Sequence, residues 1–260
     1  MISDRPVVIK SLPEIDIMRA AGRINALVLA TVRDMIRPGI ATGDLDVVAE
    51  EIIRKHGGKP AFKNYPGPYP FPATITVSIN EELVHGIPGK RKLREGEIVS
   101  VDCGTILDGF VADSAFSVGV GEISSQAKRL LEVTEQALHI GIVQMRPGKR
   151  VGDVSSAIQK HVEGNGYHVP REYTGHGVGR QMHEGPLVPN FGVRGRGIAF
   201  QPGVTVALEP MVLVGTHRTR VLPDQWTVVS ADGSLTAHFE HSVAVIDGEP
   251  IILTALDEEN

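Results

Sequence analysis

Apolar residues recur at helical spacing in two stretches near the start of the chain. Ser11 and Glu14 frame the first stretch as a capping box, in which each side chain satisfies a backbone N–H, and Pro13 fits the first turn. The apolar positions that follow with a helical period are Ile17, Ala21, Ile24, Leu27 and Val28. The pattern predicts a helix that ends at Arg37-Pro38-Gly39 and a second helix from about Gly43 to His56.

The same arrangement returns in the second half of the chain. Residues Ser125 to Met145 show the spacing of a third helix, which stops at Arg146-Pro147-Gly148, and Val154 to Val162 that of a fourth. The two joints resemble each other: RPGIATGDLDVVAEEII starts at residue 37 and RPGKRVGDVSSAIQKHV at residue 146. We therefore predict a single domain over 1–260, built from two halves at about residues 11–120 and 121–255 that face each other around a pseudo-two-fold axis.

Each half also carries apolar runs of strand length that lead to an acidic residue. Asp102 and Glu209 occupy equivalent places in matching runs and are expected to end equivalent strands, while Asp113 and Glu240 lie in a second run of each half. Facing halves would bring four carboxylates together, which is unfavourable unless cations lie between them. With His176, whose flanking glycines allow close backbone approach, these acids predict a two-metal site with ions ~3.5–4 Å apart.

Composition narrows the class of protein. The chain is 42% hydrophobic and 22% charged, as in soluble globular proteins, and its net charge of −5 argues against general nucleic-acid binding. A single cysteine, Cys103, fits a reducing cytosol, and the N-terminus lacks the apolar core of a signal peptide. No apolar stretch approaches the ~20 residues of a membrane helix. We expect a cytoplasmic protein with no membrane contact and no sequence-specific nucleic-acid partner.

Several other catalytic motifs are excluded. His183-Glu184 begins like a zincin helix, but Leu187 occupies the place of its second histidine and Gly185-Pro186 would break the helix. The sequence has no Cys-x-x-Cys pair, no phosphate-loop ending after the glycines around His176, and no Gly-x-Ser-x-Gly elbow. Cys103 is interpreted as a small buried residue rather than a nucleophile.

Six segments, in this order, resemble the type I methionine aminopeptidases over nearly the whole chain, from about Ile9 to Ala255. They are SINEELVHGIP at 78–88, VDCG at 101–104, DGFVAD at 108–113, YTGHGVG at 173–179, LEPM at 208–211 and HFEHS at 238–242. The resemblance implies an α+β pita-bread fold, with antiparallel sheet covered by helices in two pseudo-symmetric halves around a dinuclear metal site. It implies a hydrolase that removes the N-terminal methionine from nascent proteins and prefers a small second residue.

The resemblance also implies how the metal ions are held. Asp102 would chelate one ion, Asp113 and Glu240 would bridge both, and His176 and Glu209 would hold the other. Oxygen-rich ligands with one imidazole suit Co, Mn, Fe(II) or Zn as the two divalent ions. A water between the ions would attack the scissile carbonyl, its pKa lowered by them.

Further roles follow from the same resemblance. Glu209 would act as general base and then acid, His183 would hydrogen-bond the substrate carbonyl and its oxyanion, and His85 would contact the substrate backbone. The positions that match the methionine pocket of the family are Tyr65, Phe71, Thr76, Met182 and Trp226.

This chain departs from the family in its pocket. Thr76 stands where a Cys is common and Met182 where a Phe is common; the soft Met182 thioether still suits a methionine substrate. The proline-rich residues 66–72 are expected to form a stiff pocket wall or a rigid surface connection.

Partners beyond the peptide substrate are expected from the family as well. Asn80 and Thr236 match a monovalent-cation site of some members. Family members act on nascent chains at the ribosome, where the basic residues 90–94 with Arg218 and Arg220 would make transient contact with RNA. A monomer is expected.

Two other functions compete with this interpretation. The first is a prolidase or Xaa-Pro aminopeptidase of the same fold, although such enzymes usually carry an extra N-terminal domain for which this chain has no room. The second is a non-catalytic peptide-binding relative, which would be expected to have lost ligands, whereas all five are present here.

Overall fold

The computed structural model describes residues 5–256. Its helices are α1 (Leu12–Met35), α2 (Thr42–Lys55), α3 (Ser125–Val143) and α4 (Val151–Gly164). Its strands are β1 (Lys59–Pro60), β2 (Ile75–Ile79), β3 (Glu82–Val84), β4 (Ile98–Leu107), β5 (Phe110–Gly119), β6 (Thr174–Gly177), β7 (Glu184–Pro189), β8 (Thr205–Leu208), β9 (Met211–Leu213), β10 (Thr219–Val221), β11 (Val228–Ser230), β12 (Thr236–His238), β13 (His241–Ala244) and β14 (Ile251–Ile252). Within residues 5–256, no helix has the length and apolar character needed to cross a membrane.

The four predicted helices are confirmed. At the start of α1 the Glu14 carboxylate accepts hydrogen bonds from the Ser11 backbone N–H and hydroxyl, at 2.9 and 3.0 Å, as the capping box requires. The start of α4 was predicted three residues too late. The Asp153 carboxylate accepts from the Arg150 backbone N–H at 2.8 Å, and this bond begins the helix at Val151.

Strands β4 and β5, each ten residues long, form an antiparallel hairpin at the centre of the first half. Asp108 and Gly109 turn it with φ of 47° and 80°, the left-handed conformation of a two-residue type I′ turn. The prediction that Asp102 ends its strand is wrong. Beyond Asp102 the strand continues because Thr105 and Ile106 pair with β1 on one side and β5 pairs on the other.

The second half contains a five-stranded sheet in the order β14-β13-β8-β6-β7. Strand β8 ends at Leu208, so Glu209 directly follows its strand as predicted. The close approach predicted for the glycines beside His176 is also confirmed. A Cβ on Gly177 would lie 2.0 Å from the Gly185 carbonyl oxygen, so only glycine lets β6 and β7 pack at this point.

Reciprocal hydrogen bonds join the two halves. Ala115 and Glu240 exchange backbone hydrogen bonds of 3.2 and 2.9 Å. The Ser242 hydroxyl accepts from the Asp113 N–H at 2.9 Å and donates to its carbonyl at 2.8 Å. The seam between the halves therefore runs through the backbone of two predicted metal ligands.

Helix α1 is tied to the hairpin by a buried amide. The Asn25 side chain donates to the Cys103 carbonyl at 2.7 Å and to the Ser114 hydroxyl at 3.0 Å, and it accepts from Thr105 at 3.3 Å. Cys103 is fully buried, as the sequence indicated. Since buried polar groups are costly when unpaired, Asn25 fixes where the helix meets the two acid-bearing strands.

Replacing Asn25 by alanine should lower the free energy of unfolding by about 2–4 kcal/mol, because each buried group left without a partner costs about 1–3 kcal/mol. Urea denaturation measures this change. Asp34→Ala, at an exposed position of the same helix, is the control and should alter stability by less than about 0.5 kcal/mol. A loss below about 1 kcal/mol for Asn25→Ala would show that the amide is not a structural link.

Candidate metal centre and active site

The hairpin register places two acids on one face of the first half. Asp102 stands opposite Ala115, and Gly104 stands opposite Asp113, so the two carboxylates are diagonal neighbours. Both residues are buried. Strand geometry thus brings together two negative charges that the sequence separates by eleven positions.

The second half supplies the remaining candidate ligands. His176 pairs with Ala207, so Glu209, two residues further, lies on the same face, and His176 Nε2 is 3.5 Å from Glu209 Oε1. Ligand atoms of Asp113, His176 and Glu240 all lie within 4.8 Å of one another. The structure therefore gathers the five residues predicted as metal ligands around one cavity.

His176 presents a lone pair to this cluster. Its Nδ1 donates to the Gly177 carbonyl at 3.0 Å, and because a carbonyl oxygen only accepts, the proton must sit on Nδ1. Nε2 is then unprotonated and lies 3.9 Å from Asp113 Oδ2. Burial lowers the pKa of His176 to about 4, which keeps the ring neutral at pH 7. This tautomer and charge are those of a metal-ligating imidazole.

The clustered carboxyls have strongly shifted acidities. Burial, and then the charges of Asp113 and Glu209, raise the pKa of Asp102 well above its usual range. Burial is also the first cause for Glu209 and Glu240, whose pKa is raised well above the ordinary value, and it raises the pKa of Asp113 to about 7. The protein alone therefore disfavours four ionised groups in this space.

Unpaired atoms in the cluster show what would relieve this cost. Asp102 Oδ1, Asp113 Oδ1 and Glu240 Oε1 are buried without a hydrogen-bond partner. Buried polar atoms without partners are rare in native proteins, and cations are one way to satisfy them. Oxygen atoms with a neutral imidazole form a donor set that fits divalent metal ions.

One buried histidine at the cluster was not predicted. His238 Nε2 lies 3.7 Å from Glu209 Oε2 and 3.7 Å from Glu240 Oε2, and it has no hydrogen-bond partner. Burial lowers the pKa of His238 to about 3, so its ring is neutral at pH 7. His238 is two residues from Glu240 in the sequence, and residues at this spacing in a strand share a face. This spacing was the sequence signal that could have indicated His238.

An apolar pocket opens directly onto the carboxylates, in a cavity of about 140 Å³. Thr76 pairs with Asp102 across β2 and β4, which joins the pocket wall to the ligand cluster. Besides the five candidate ligands, the cavity is lined by Phe62, Tyr65, Phe71, Thr76, His85, Met182, His183 and Trp226. All predicted pocket positions are thus brought together. Phe62 also lines the cavity and was not predicted.

Two glycines leave room for the pocket walls. A Cβ on Gly104 would lie 2.8 Å from both the Met182 methyl carbon and the Phe62 ring, so a bare strand position lets these side chains pack. In the proline-rich stretch, a Cβ on Gly67 would lie 2.4 Å from the Trp226 ring. This stretch therefore packs against the aromatic wall of the cavity at Gly67.

Two further histidines border the cavity. His85 adopts φ of 62°, an unusual conformation for a non-glycine residue, and burial lowers its pKa to about 4. His183 lies with its ring centre 4.3 Å from that of His176, and its Nδ1 is 2.6 Å from the Tyr65 hydroxyl. Burial, followed by the neighbouring His176, lowers the pKa of His183 to about 3.

The predicted monovalent-cation residues also meet. The Thr236 hydroxyl donates to the carbonyls of Asn80 and Glu82, both at 2.9 Å, and the Asn80 side chain accepts from the Ile98 N–H at 2.9 Å. In the basic turn, Arg91 forms ion pairs with Glu82 and Glu97. Cation binding at the first location and ribosome contact at the second stay predictions.

Comparison with known proteins agrees with this geometry. Residues 16–247 match the model of metallopeptidase family M24. The methionine aminopeptidase of Clostridium perfringens is 46% identical over 250 residues, which cover 96% of this chain and 99% of that protein. The crystal structure of methionine aminopeptidase from Thermotoga maritima superimposes on this chain with a TM-score of 0.94 at 44% identity. The match covers 96% of this chain and 100% of that chain.

A more distant structure shares the fold alone. The prolidase from Pyrococcus furiosus has a TM-score of 0.75 at 19% identity and covers 96% of this chain but 66% of its own. The expected pita-bread fold of helices and antiparallel sheet is therefore confirmed. The chain belongs to metallopeptidase family M24, among its methionine aminopeptidases.

The raised carboxyl pKa values predict how the metal-free protein responds to pH. The unfolded carboxyls ionise at their ordinary pKa, whereas the folded cluster retains protons to higher pH, so stability falls as pH rises above neutral. The buried histidines titrate below this window. Urea denaturation with a chelator present should show a loss on the order of 1 kcal/mol per pH unit for each retained proton.

A divalent ion should remove this pH dependence, because bound cations keep the carboxylates ionised in the folded state. Asp113→Asn supplies the matched control, since it deletes one titrating group and should reduce the slope in chelator. Stability that rises from pH 7 to 9 in chelator would contradict the proton-retaining cluster.

Proposed function

We propose that the chain removes the N-terminal methionine from nascent proteins and peptides with the help of two divalent metal ions. The observation that carries this proposal is a single cavity that holds five candidate ligands at one side and apolar, aromatic walls at the other. The similarity to methionine aminopeptidases supports the same substrate. A small second residue is the expected preference.

The pocket suits the side chain of methionine. Phe62, Phe71 and Trp226 supply aromatic surface, and sulfur in a thioether packs favourably against aromatic rings. Met182 is flexible and polarisable, so it can adapt to the substrate side chain. The free α-amine is expected to lie toward the carboxylates, and this restricts cleavage to the first residue.

The ligand assignment follows the two halves. Asp102 would hold one ion, Asp113 and Glu240 would hold both, and His176 and Glu209 would hold the other. When bound, divalent ions polarise the scissile carbonyl and lower the pKa of a water molecule. Co, Mn, Fe(II) and Zn all fit this donor set. A monovalent cation is expected beside Asn80 and Thr236, where it would support the neighbouring strands.

Glu209 is placed to move protons. Its side chain is 14% exposed, more than those of Asp113 and Glu240, and it lies between the neutral rings of His176 and His238. Burial raises the pKa of Glu209, and a carboxyl group can act as general base and then as general acid. Glu209 is therefore assigned to take a proton from the attacking water and return it to the leaving amine.

His183 is assigned to the substrate carbonyl. Burial raises the pKa of Tyr65, so its hydroxyl stays protonated and can donate to His183 Nδ1. The imidazole proton then resides on Nε2, where it can bond the developing oxyanion. His85 borders the same cavity and is assigned to the substrate backbone.

Methionine release from Met-Ala-Ser tests the function. Chelated enzyme should release no methionine, and restoring each of the four metals in turn should show which ions support turnover. Asp102→Ala should bind less metal than the natural chain. Cleavage of Xaa-Pro dipeptides without methionine release would instead favour a prolidase, and unchanged metal stoichiometry in Asp102→Ala would contradict the ligand assignment.

Tyr65→Phe should lower kcat about 10- to 100-fold while KM changes little, because the His183 tautomer is no longer held. This loss is smaller than the ~10²–10³-fold expected for removal of the oxyanion donor in His183→Ala. Phe62→Leu is the control, since it alters the same pocket without a hydrogen bond and should mainly raise KM. Equal kcat for Tyr65→Phe and the natural chain would exclude the hydroxyl from catalysis.

A further inference from the structure

The N-terminal residues 5–10 lie along the segment 178–185, which carries a pocket side chain and a catalytic candidate. The Arg5 guanidinium donates to the His183 carbonyl at 2.6 Å, and the Pro6 carbonyl accepts from the Gly185 N–H at 3.2 Å. The Lys10 N–H donates to the Gly203 carbonyl at 2.8 Å, just before strand β8. Residues 5–10 therefore bridge the base of β8 and the segment with His183.

Lys10 is unusual among the basic residues. Within residues 5–256 it is the one lysine or arginine that is buried. Its ammonium group forms an ion pair with the Glu184 carboxylate and donates to the Val8 carbonyl at 3.1 Å. Gly179 makes room for this pair, because a Cβ there would lie 2.4 Å from Lys10 Cε.

The other oxygen of Glu184 closes a short turn. Glu184 Oε1 accepts from the Gln181 N–H at 3.1 Å, so one carboxylate spans residues 181–184. Met182 and His183 are the two residues enclosed by this bond. The Glu184 carboxylate thus holds both in place, and Lys10 supplies the opposite charge beside this buried carboxylate.

We propose that Lys10 is a positioning residue, which holds Met182 and His183 at the substrate through the buried Glu184 carboxylate. This proposal rests on the proposed function, in which Met182 contacts the methionine side chain and His183 the oxyanion. Neither Lys10 nor Glu184 lines the cavity, so both act through the turn.

Removing the Lys10 charge has a clear physical consequence. In Lys10→Met the Glu184 carboxylate is left without its cation and must take up a proton or turn toward water. Either change weakens the bond to the Gln181 N–H and frees the turn. Adding Glu184→Gln removes the unpaired charge while its amide oxygen can still accept from Gln181.

Kinetics of Lys10→Met, Glu184→Gln and the double variant test the proposal, with Met-Ala-Ser and Leu-Ala-Ser as substrates. Lys10→Met should lower kcat for Met-Ala-Ser about 10- to 100-fold, since a misplacement of 1 Å can cost that much. It should also narrow the preference for methionine over leucine, and the double variant should regain part of both. Ile158→Val, a core change in α4, is the control for destabilisation and should keep the natural kcat and preference.

Hydrogen exchange of residues 178–185 gives a readout that does not depend on turnover. Exchange should accelerate in Lys10→Met and slow again in the double variant, while metal stoichiometry stays that of the natural chain. Natural kcat and preference in folded Lys10→Met, or a loss of metal, would overturn the proposal. Failure of the natural chain to release methionine would refute the proposed function alone, because the exchange experiment would still report on the turn.

Discussion

The central constraint on this structure is the repulsion among four carboxylates that share one buried space. Asp102 and Asp113 come from one half and Glu209 and Glu240 from the other, and burial raises the pKa of all four. Strand pairing holds them together regardless of this cost: the hairpin register fixes the first pair, and the seam at Glu240 fixes the second against it. Such a cluster is tolerable where cations neutralise it, so the electrostatic strain of the protein and its affinity for metal have one origin.

Much of this arrangement was predictable because short sequence motifs determine it. The capping box at Ser11 and Glu14 marks a helix start through two local hydrogen bonds, and apolar spacing marks the rest of α1. The repeated joint after residues 37 and 146 indicated two halves, and the motifs around the acids indicated the ligand set. Each cap, joint and motif is itself shorter than about twenty residues, a range in which local geometry and sequence pattern are directly related.

What could not be predicted depends on contacts between distant segments. Asp102 was expected to end its strand, yet pairing with β1 and β5 extends β4 to Leu107. His238 lies beside Glu209 because β12 pairs with β9, which begins two residues after Glu209. The ion pair of Lys10 with Glu184 joins positions 174 residues apart, and no local pattern reports such a pair.

The two-residue turn at Asp108 and Gly109 has a consequence for how this chain can change length. Side chains alternate between the faces of a strand, so one residue inserted or deleted within the paired strands between Asp102 and Asp113 would turn one carboxylate to the opposite face. This hairpin is therefore closed to insertions and deletions of a single residue.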